Sequence, residues 1–278
     1  NSGTVRNAGR LQAREADGSG GRITVSGTNV SIDQSARVDA DAAPAPADKP
    51  ADGGDIRIGG NRGGKGDLKT ANSVNIADGA DISADANDNG DGGDVIVWSD
   101  RDTDIAGTIS ARGGADSGDG GFVETSSKRD LHVAESASVN TGAPGGAAGQ
   151  WLLDPHNVIL ENASGTDASG GGTIDATDDG ETIDINTIEM ALDTGSNVTI
   201  TTGSTGNQDG DITVKDTVNK NNGDNAAFTL EAARNILFDD SNGGESAGII
   251  SNADALDITL NADRNGNKVG AIDFNGTI

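Results

Sequence analysis

Between Asp85 and Asp94 the chain reads Asp-Ala-Asn-Asp-Asn-Gly-Asp-Gly-Gly-Asp, its densest run of hard oxygen ligands. Asp85, Asn87, Asn89 and Gly90 fit the first half of an EF-hand calcium loop, which needs oxygens at alternate positions and a glycine at the sharp turn. The second half fails, because the twelfth position must supply a bidentate Glu and here it is Ile96. No window repeats the Gly-Gly-x-Gly-x-Asp nonapeptide of calcium β-rolls either. Asp and Gly also suit tight solvated corners, since Asp bonds its own backbone and Gly accepts positive φ. The expectation is therefore a corner without metal ligands.

Two carboxylates at the right separation could cleave a glycosidic bond. Asp is so abundant here that such proximity arises by accident, and the local grouping of Trp98 with Asp100, Arg101 and Asp102 is short enough to be a solvated turn. His132 and His156 are the only histidines, and neither has a second His or any Cys nearby to complete a transition-metal site. No serine sits in a nucleophile elbow, and no phosphate-binding loop is present. We expect no enzyme, no catalytic residue and no cofactor. The aromatic residues offer binding instead. Trp98 follows Val95 and Val97, so strict alternation points its indole outward as a sugar-stacking platform, although its size also suits the corner of a core. With Arg62 and Lys65, from the basic Gly-rich loop Gly59–Lys69, it makes a candidate ligand surface.

Composition narrows the classes. With 45 acidic and 19 basic residues the net charge is −26, which repels a phosphate backbone, so nucleic acid is excluded as a partner. Aromatic residues make up only 2% of the chain while Gly reaches 43, so a thick aromatic core is out of reach. Cysteine is absent, and stability must come from backbone pairing and packing. No apolar run approaches the length of a membrane helix.

The elements that would position these groups are short and repeated. Asn or Asp followed by apolar-x-apolar recurs as Asn29-Val30-Ser31-Ile32, Asp55-Ile56-Arg57-Ile58, Asp94-Val95-Ile96-Val97, Asp130-Leu131-His132-Val133 and Asn157-Val158-Ile159-Leu160, and four more times beyond. Period-two alternation predicts half-buried strands. A second pattern, small-x-Val/Ile-x-small, follows many copies, as in Ala80-Asp81-Ile82-Ser83-Ala84. Glycine pairs open the units at Gly20, Gly53, Gly92 and Gly120. Units of roughly 25–30 residues that cannot bury their own inner face predict a stacked repeat architecture, a β-solenoid.

Loop insertions are expected near residues 42–52, which carry three prolines, and near 59–71. Residues 1–161 form the Gly-pair coils. Residues 162–278 continue the same solenoid with altered spacing, polar loops at Asn162–Gly180 and Asp239–Glu245, and a short helix at 187–193.

One stretch joins the largest apolar side chain to two strand-like runs across an Asp-Pro turn: Gly149-Gln150-Trp151-Leu152-Leu153-Asp154-Pro155-His156-Asn157-Val158-Ile159-Leu160. Trp151, Leu153, Asp154, Pro155, Asn157 and Val158 are read as a structural core motif, with Trp151 buried on account of its size. Trp-Leu-Leu-Asp-Pro-x-Asn-Val-x-Leu resembles a segment of the filamentous-haemagglutinin-like and high-molecular-weight adhesins, exported by the bacterial two-partner pathway. Gly120-Gly121-Phe122-Val123-Glu124-Thr125-Ser126, Gly210-Asp211-Ile212-Thr213-Val214 and Asp257-Ile258-Thr259-Leu260-Asn261-Ala262-Asp263 are also similar to that family.

The resemblance implies an all-β fold, a right-handed parallel β-helix with surface loop insertions. It implies a secreted protein at the bacterial cell surface or in the biofilm matrix, forming an elongated stalk or filament that presents a binding region. Its partners would be an outer-membrane two-partner transporter, an exopolysaccharide or host-cell glycan, and further copies in filaments or bundles. On this reading the chain is an internal piece of a longer one. The rival readings are a carbohydrate-binding module, a haem-carrier-binding exoprotein and a β-helix glycan lyase.

Overall fold

A computed structural model describes residues 3–44, 49–162, 181–203, 209–239 and 247–274. The expected loops over 163–180 and 240–245 lie outside the described residues, as does the middle of the 42–52 excursion.

The strands are short because Gly, Asn and Asp interrupt each apolar run within a few residues. In chain order they begin with β1 (Thr4–Asn7), β2 (Arg10–Gln12), β3 (Arg22–Val25), β4 (Asn29–Ile32), β5 (Arg37–Asp39) and β6 (Asp55–Ile58). Then come β7 (Ala71–Ile76), β8 (Asp81–Ser83), β9 (Asp94–Ile105), β10 (Thr108–Ser110), β11 (Phe122–Ser127), β12 (Asp130–Val133) and β13 (Ser138–Asn140). The motif supplies β14 (Gln150–Asp154) and β15 (Val158–Glu161), followed by β16 (Glu181–Asp184), the helix α1 (Ile185–Asp193) and β17 (Asn197–Thr201). The last are β18 (Ile212–Val214), β19 (Thr217–Lys220), β20 (Ala226–Glu231), β21 (Ile236–Phe238), β22 (Gly248–Ser251), β23 (Leu256–Asn261) and β24 (Ile272–Phe274).

All named strand pairs are parallel. One ladder runs β3, β6, β9, β11, β14, β17, β20, β23. A second runs β1, β4, β7, β9, β12, β16, β15, β18, β21, β24. A third wall is the sheet β2, β5, β8, β10, β13, followed by α1 and then the pair β19–β22. Between them lies one continuous core, with columns such as Ile56, Val95, Val123, Trp151, Val198 and Phe228.

This arrangement corrects the expected right-handed parallel β-helix, or β-solenoid. Seventeen strands belong to one sheet, which curls into a nearly closed, barrel-like parallel wall, where separate β-helix faces were expected. The 12-residue β9 is the physical reason. It contains no Gly, Pro or Asn to break it, so its first half pairs with β6 and β11, its second half with β7 and β12, and the two ladders fuse. At its bend the buried hydroxyls of Ser99 and Thr103 share a hydrogen bond of 2.8 Å, and Thr103 donates to the Ser126 carbonyl at 3.0 Å. Strand order is also broken: β16 inserts between β12 and β15, ahead of a strand that precedes it in the chain. Nor is the third wall all strand.

Helix α1 starts where the Asp184 side chain accepts the Asn186 N–H at 2.8 Å, an N-cap. Ile185, Ile188, Ala191 and Leu192 recur at helical spacing and are buried. Gly195, at φ +77°, ends it by donating to the Leu192 carbonyl at 3.0 Å.

The glycine pairs have a specific task. Loops of different length leave the third wall at Ala40, Ala84, Ala111 and Thr141. They return at Gly54, Gly93, Gly121 and Gly149, where each glycine N–H donates to the departing carbonyl at 2.8–2.9 Å. The excursion around residues 42–52 thus closes through the same pinch as its shorter counterparts. A Cβ on Gly53, Gly92 or Gly120 would overlap the carbonyl oxygen of the next pinch, at Ala84, Ala111 and Thr141 respectively.

Candidate functional site

Residues Gly59 to Thr70 leave the end of β6, cross the outer face of β9 and β11, and return to β7. Gly59, at φ +78°, starts the strap by turning the chain outward. Its N–H donates to Val25 at 2.9 Å and its carbonyl accepts Ala71 N–H at 2.6 Å, so both ends of the strap meet at one residue. At the far end the Thr70 hydroxyl donates to Asp100, which also accepts from Lys128.

The strap covers Trp98. The indole lies on the outer face, as alternation from Val95 and Val97 requires, yet only 4% of the residue is exposed. A Cβ on Gly60 would approach its Cδ1 to 2.6 Å, and one on Gly64 its Nε1 to 2.5 Å. The strap is glycine-rich because bare backbone must lie flat on the ring. The exposed stacking platform is therefore absent from this closed arrangement, and the indole packs outside the core cluster. Its Nε1–H has no hydrogen-bond partner among the described residues.

Beside it stands Glu124, 1% exposed and not among the sequence candidates. Its carboxylate accepts the Gly63 N–H at 3.0 and 3.3 Å. Burial pushes this carboxyl above its ordinary value. The Gly63 N–H opposes that shift, Asp154 on β14 adds to it and Arg62 on the strap works against it. The Arg62 guanidinium sits 3.7 Å from the centre of the Phe122 ring, a cation–π contact. Arg62 and Lys65 remain exposed. The fold thus gathers Trp98 and Arg62 and adds Glu124. The sequence signal for Glu124 was its outward position in a strand of otherwise small or apolar residues, which alone predicts exposure. Only the strap buries it.

This burial has a measurable consequence. A carboxyl raised in the folded state binds its proton more tightly there than in the unfolded chain. Its contribution is fully present below the ordinary Glu range and is lost as pH rises through the raised value. Glu124→Gln is neutral throughout and keeps an oxygen for Gly63. Relative to wild type, the variant should gain stability as pH rises from about 4 to 8. Each tenfold of proton affinity is worth about 1.4 kcal/mol, or about 2–4 °C in Tm for a chain of this size. Thermal melts of both proteins across that range check this, and parallel profiles would contradict it.

The other candidates are occupied by structure. Along Asp85–Asp94, Asp85 binds Arg112 at 2.6 and 2.9 Å, Asn87 donates to the Ala43 carbonyl at 2.9 Å, and Asn89 accepts from Ser117 at 2.8 Å. Asp91 accepts the Asp119 N–H at 2.8 Å. These side chains tie one layer to the next. Among the described residues no group of three His, Asp or Glu is placed to hold a metal ion. A groove of about 450 Å³ runs over the glycine pairs between Asp52 and Asp91 on one rim and Asp55 and Asp94 on the other. Asp52 accepts the Asp91 N–H at 2.9 Å and Asp55 pairs with Arg22 at 2.7 Å.

On the outer face of the second ladder Asp102 stands opposite Asp130, and Asp104 lies 3.9 Å from His132. Burial, then the hydrogen bond with Asp130, raises the Asp102 carboxyl. Arg101 and Arg129 flank this pair. His156 is held below its ordinary value by burial.

The motif residues act as a staple. Trp151 is fully buried and donates from Nε1 to Thr125 Oγ1 at 3.0 Å. Leu153 and Val158 join the same core, and Pro155 is buried at the turn. Asp154 accepts the Thr201 hydroxyl at 2.8 Å. Asn157 Oδ1 accepts the N–H groups of Gly210 and Asp211 at 2.8 and 2.9 Å, fixing the next layer.

No protein-family model and no curated protein matches the chain.

Proposed function

We propose that this chain is a structural section of a large secreted bacterial surface or matrix adhesin, holding or spacing a binding region, and exported through an outer-membrane two-partner transporter. The observation that carries the reading is the use to which polar side chains are put. Asp85 and Asp91 of the densest acidic run, and Asp154 and Asn157 of the motif, are spent on joining successive layers. The likeness of Gly149–Leu160 to the adhesin segment supports it as well.

Antibodies raised against the folded chain test the assignment. They should label intact, unpermeabilised cells of the source organism, or their medium. Signal that appears only after lysis would overturn the reading.

A second reading, a carbohydrate-binding module, is favoured by the gathering of Trp98, Glu124 and Arg62 under one strap. It requires the strap to lift. A glycan array showing submicromolar binding that is lost in Trp98→Ala would promote it.

A further inference from the structure

The strap over Trp98 is held to the body at its two ends and at one point between. Gly59 anchors it through Val25 and Ala71, and Thr70 anchors it through Asp100. Among the described residues, the one hydrogen-bonding group of residues 60–69 that reaches the sheet beneath is the Gly63 N–H, shared between the two Glu124 oxygens. The other hydrogen bonds of this stretch are internal, from the Gly64 N–H to the Asn61 carbonyl at 2.8 Å and from the Lys65 N–H to the Arg62 carbonyl at 3.3 Å. The strap therefore closes on a single latch, and the latch is a fully buried carboxyl.

Such a latch suits a neutral carboxyl and not an ionised one. A buried carboxylate is stable where two or three N–H donors or a cation meet it. Glu124 has one donor and, among the described residues, no ion pair. Of the charged groups around it, Asp154 on β14 works against ionisation and Arg62 on the strap favours it, but the Arg62 guanidinium lies over the Phe122 ring. Arg57 on β6 is engaged by Asp55 and Asp94, Lys128 by Asp100, and Lys65 on the strap is exposed. From β9 the neighbours are Ile96 and Trp98, which carry no charge. Burial raises the Glu124 carboxyl. The advantage of the closed strap is thus fully present below the ordinary Glu range and is lost as pH rises through the raised value. An ionised Glu124 gains further donors from water only when the strap lifts.

We propose that the strap is a lid gated by protonation, closed over neutral Glu124 and lifted when that carboxyl ionises. Lifting uncovers the Trp98 indole and the Glu124 carboxylate together. The core behind them stays packed, because Val95, Val97 and Val123 face the other way and belong to the inner cluster. Segments with few ties to the core open locally in this way without global unfolding. The inference goes beyond both functional readings and depends on neither, since it concerns when this face is covered and not what the face then meets.

Acrylamide quenching of tryptophan fluorescence tests the proposal, because a neutral quencher is indifferent to the net charge of −26. It is measured in wild type and in Trp151→Phe, which leaves Trp98 as the only tryptophan. The quenching constant should rise roughly threefold or more as pH goes from about 4 to 8, with circular dichroism unchanged. Glu124→Gln keeps an oxygen for Gly63 and cannot ionise, so its quenching constant should stay low throughout. Amide exchange of residues 60–69 in wild type, corrected for the intrinsic effect of pH, should quicken over the same range, and this readout needs no variant to fold. A low, flat quenching constant in wild type would overturn the proposal, and so would strap exchange that ignores pH. A rise that Glu124→Gln reproduces would assign the opening to another carboxyl raised by burial, such as Asp102 or Asp104, and would overturn it too. The same holds for a rise that comes only with loss of circular dichroism.

Discussion

Trp151→Ala is expected to lower stability by about 3–5 kcal/mol, the range for deleting a large buried aromatic side chain. The indole is fully buried in the core column between Val123 of β11 and Val198 of β17. Its removal leaves a cavity in mid-stack, where layers on both sides are fixed by backbone pairing and cannot collapse inward. It also strips the Thr125 hydroxyl of its donor. Chemical denaturation should show a lower midpoint with an unchanged slope, since the surface exposed on unfolding is the same. Trp151→Phe keeps most of the volume and should recover most of the loss. An unaltered midpoint for the alanine variant would show that the stack does not depend on this side chain.

Gly120→Ala should cost about as much for a different reason. The added methyl would be driven into the hydrogen bond that closes the next corner, between the Thr141 carbonyl and the Gly149 N–H. Both contacts are backbone, so neither can swing aside. Overpacking of this kind costs about 1–3 kcal/mol, and each broken hydrogen bond about 1 kcal/mol more. The expected total is roughly 3 kcal/mol. Gly9, whose added Cβ would meet nothing within 4 Å, is the control, and Gly9→Ala should melt like wild type. Equal midpoints for the two variants would remove the steric account of the glycine pairs.

Much of the local structure was legible because its causes are local. Alternation of Val and Ile set the strands, as at Asp55–Ile58, where Ile56 and Ile58 are buried and Asp55 and Arg57 are not. Asp or Asn at strand starts marked corners, and size placed Trp151 in the core. The architecture was less legible because its causes lie in relations between layers. The absence of Gly, Pro and Asn from Asp94–Ile105 permits one long strand but does not say that it will round a bend and serve two ladders. That depends on Ser99 and Thr103 finding each other inside the fold. The insertion of β16 between β12 and β15 likewise depends on the partners it meets.

At the strap the sequence showed a basic glycine-rich loop and an outward tryptophan, but not that one covers the other. Alternation gives direction without saying what lies above. Glu124 was missed for the same reason.

The Gln150–Glu161 motif and its neighbouring layers staple the stack together, while among the described residues β1 and β24 each pair on one side only. Amide hydrogen exchange followed peptide by peptide tests this directly, because protection reports the free energy of opening each layer. Exchange should be slowest in β11, β14 and β17, and fastest among the strands in β1 and β24. Rapid exchange across Gln150–Glu161, at the rate of the end strands, would contradict it.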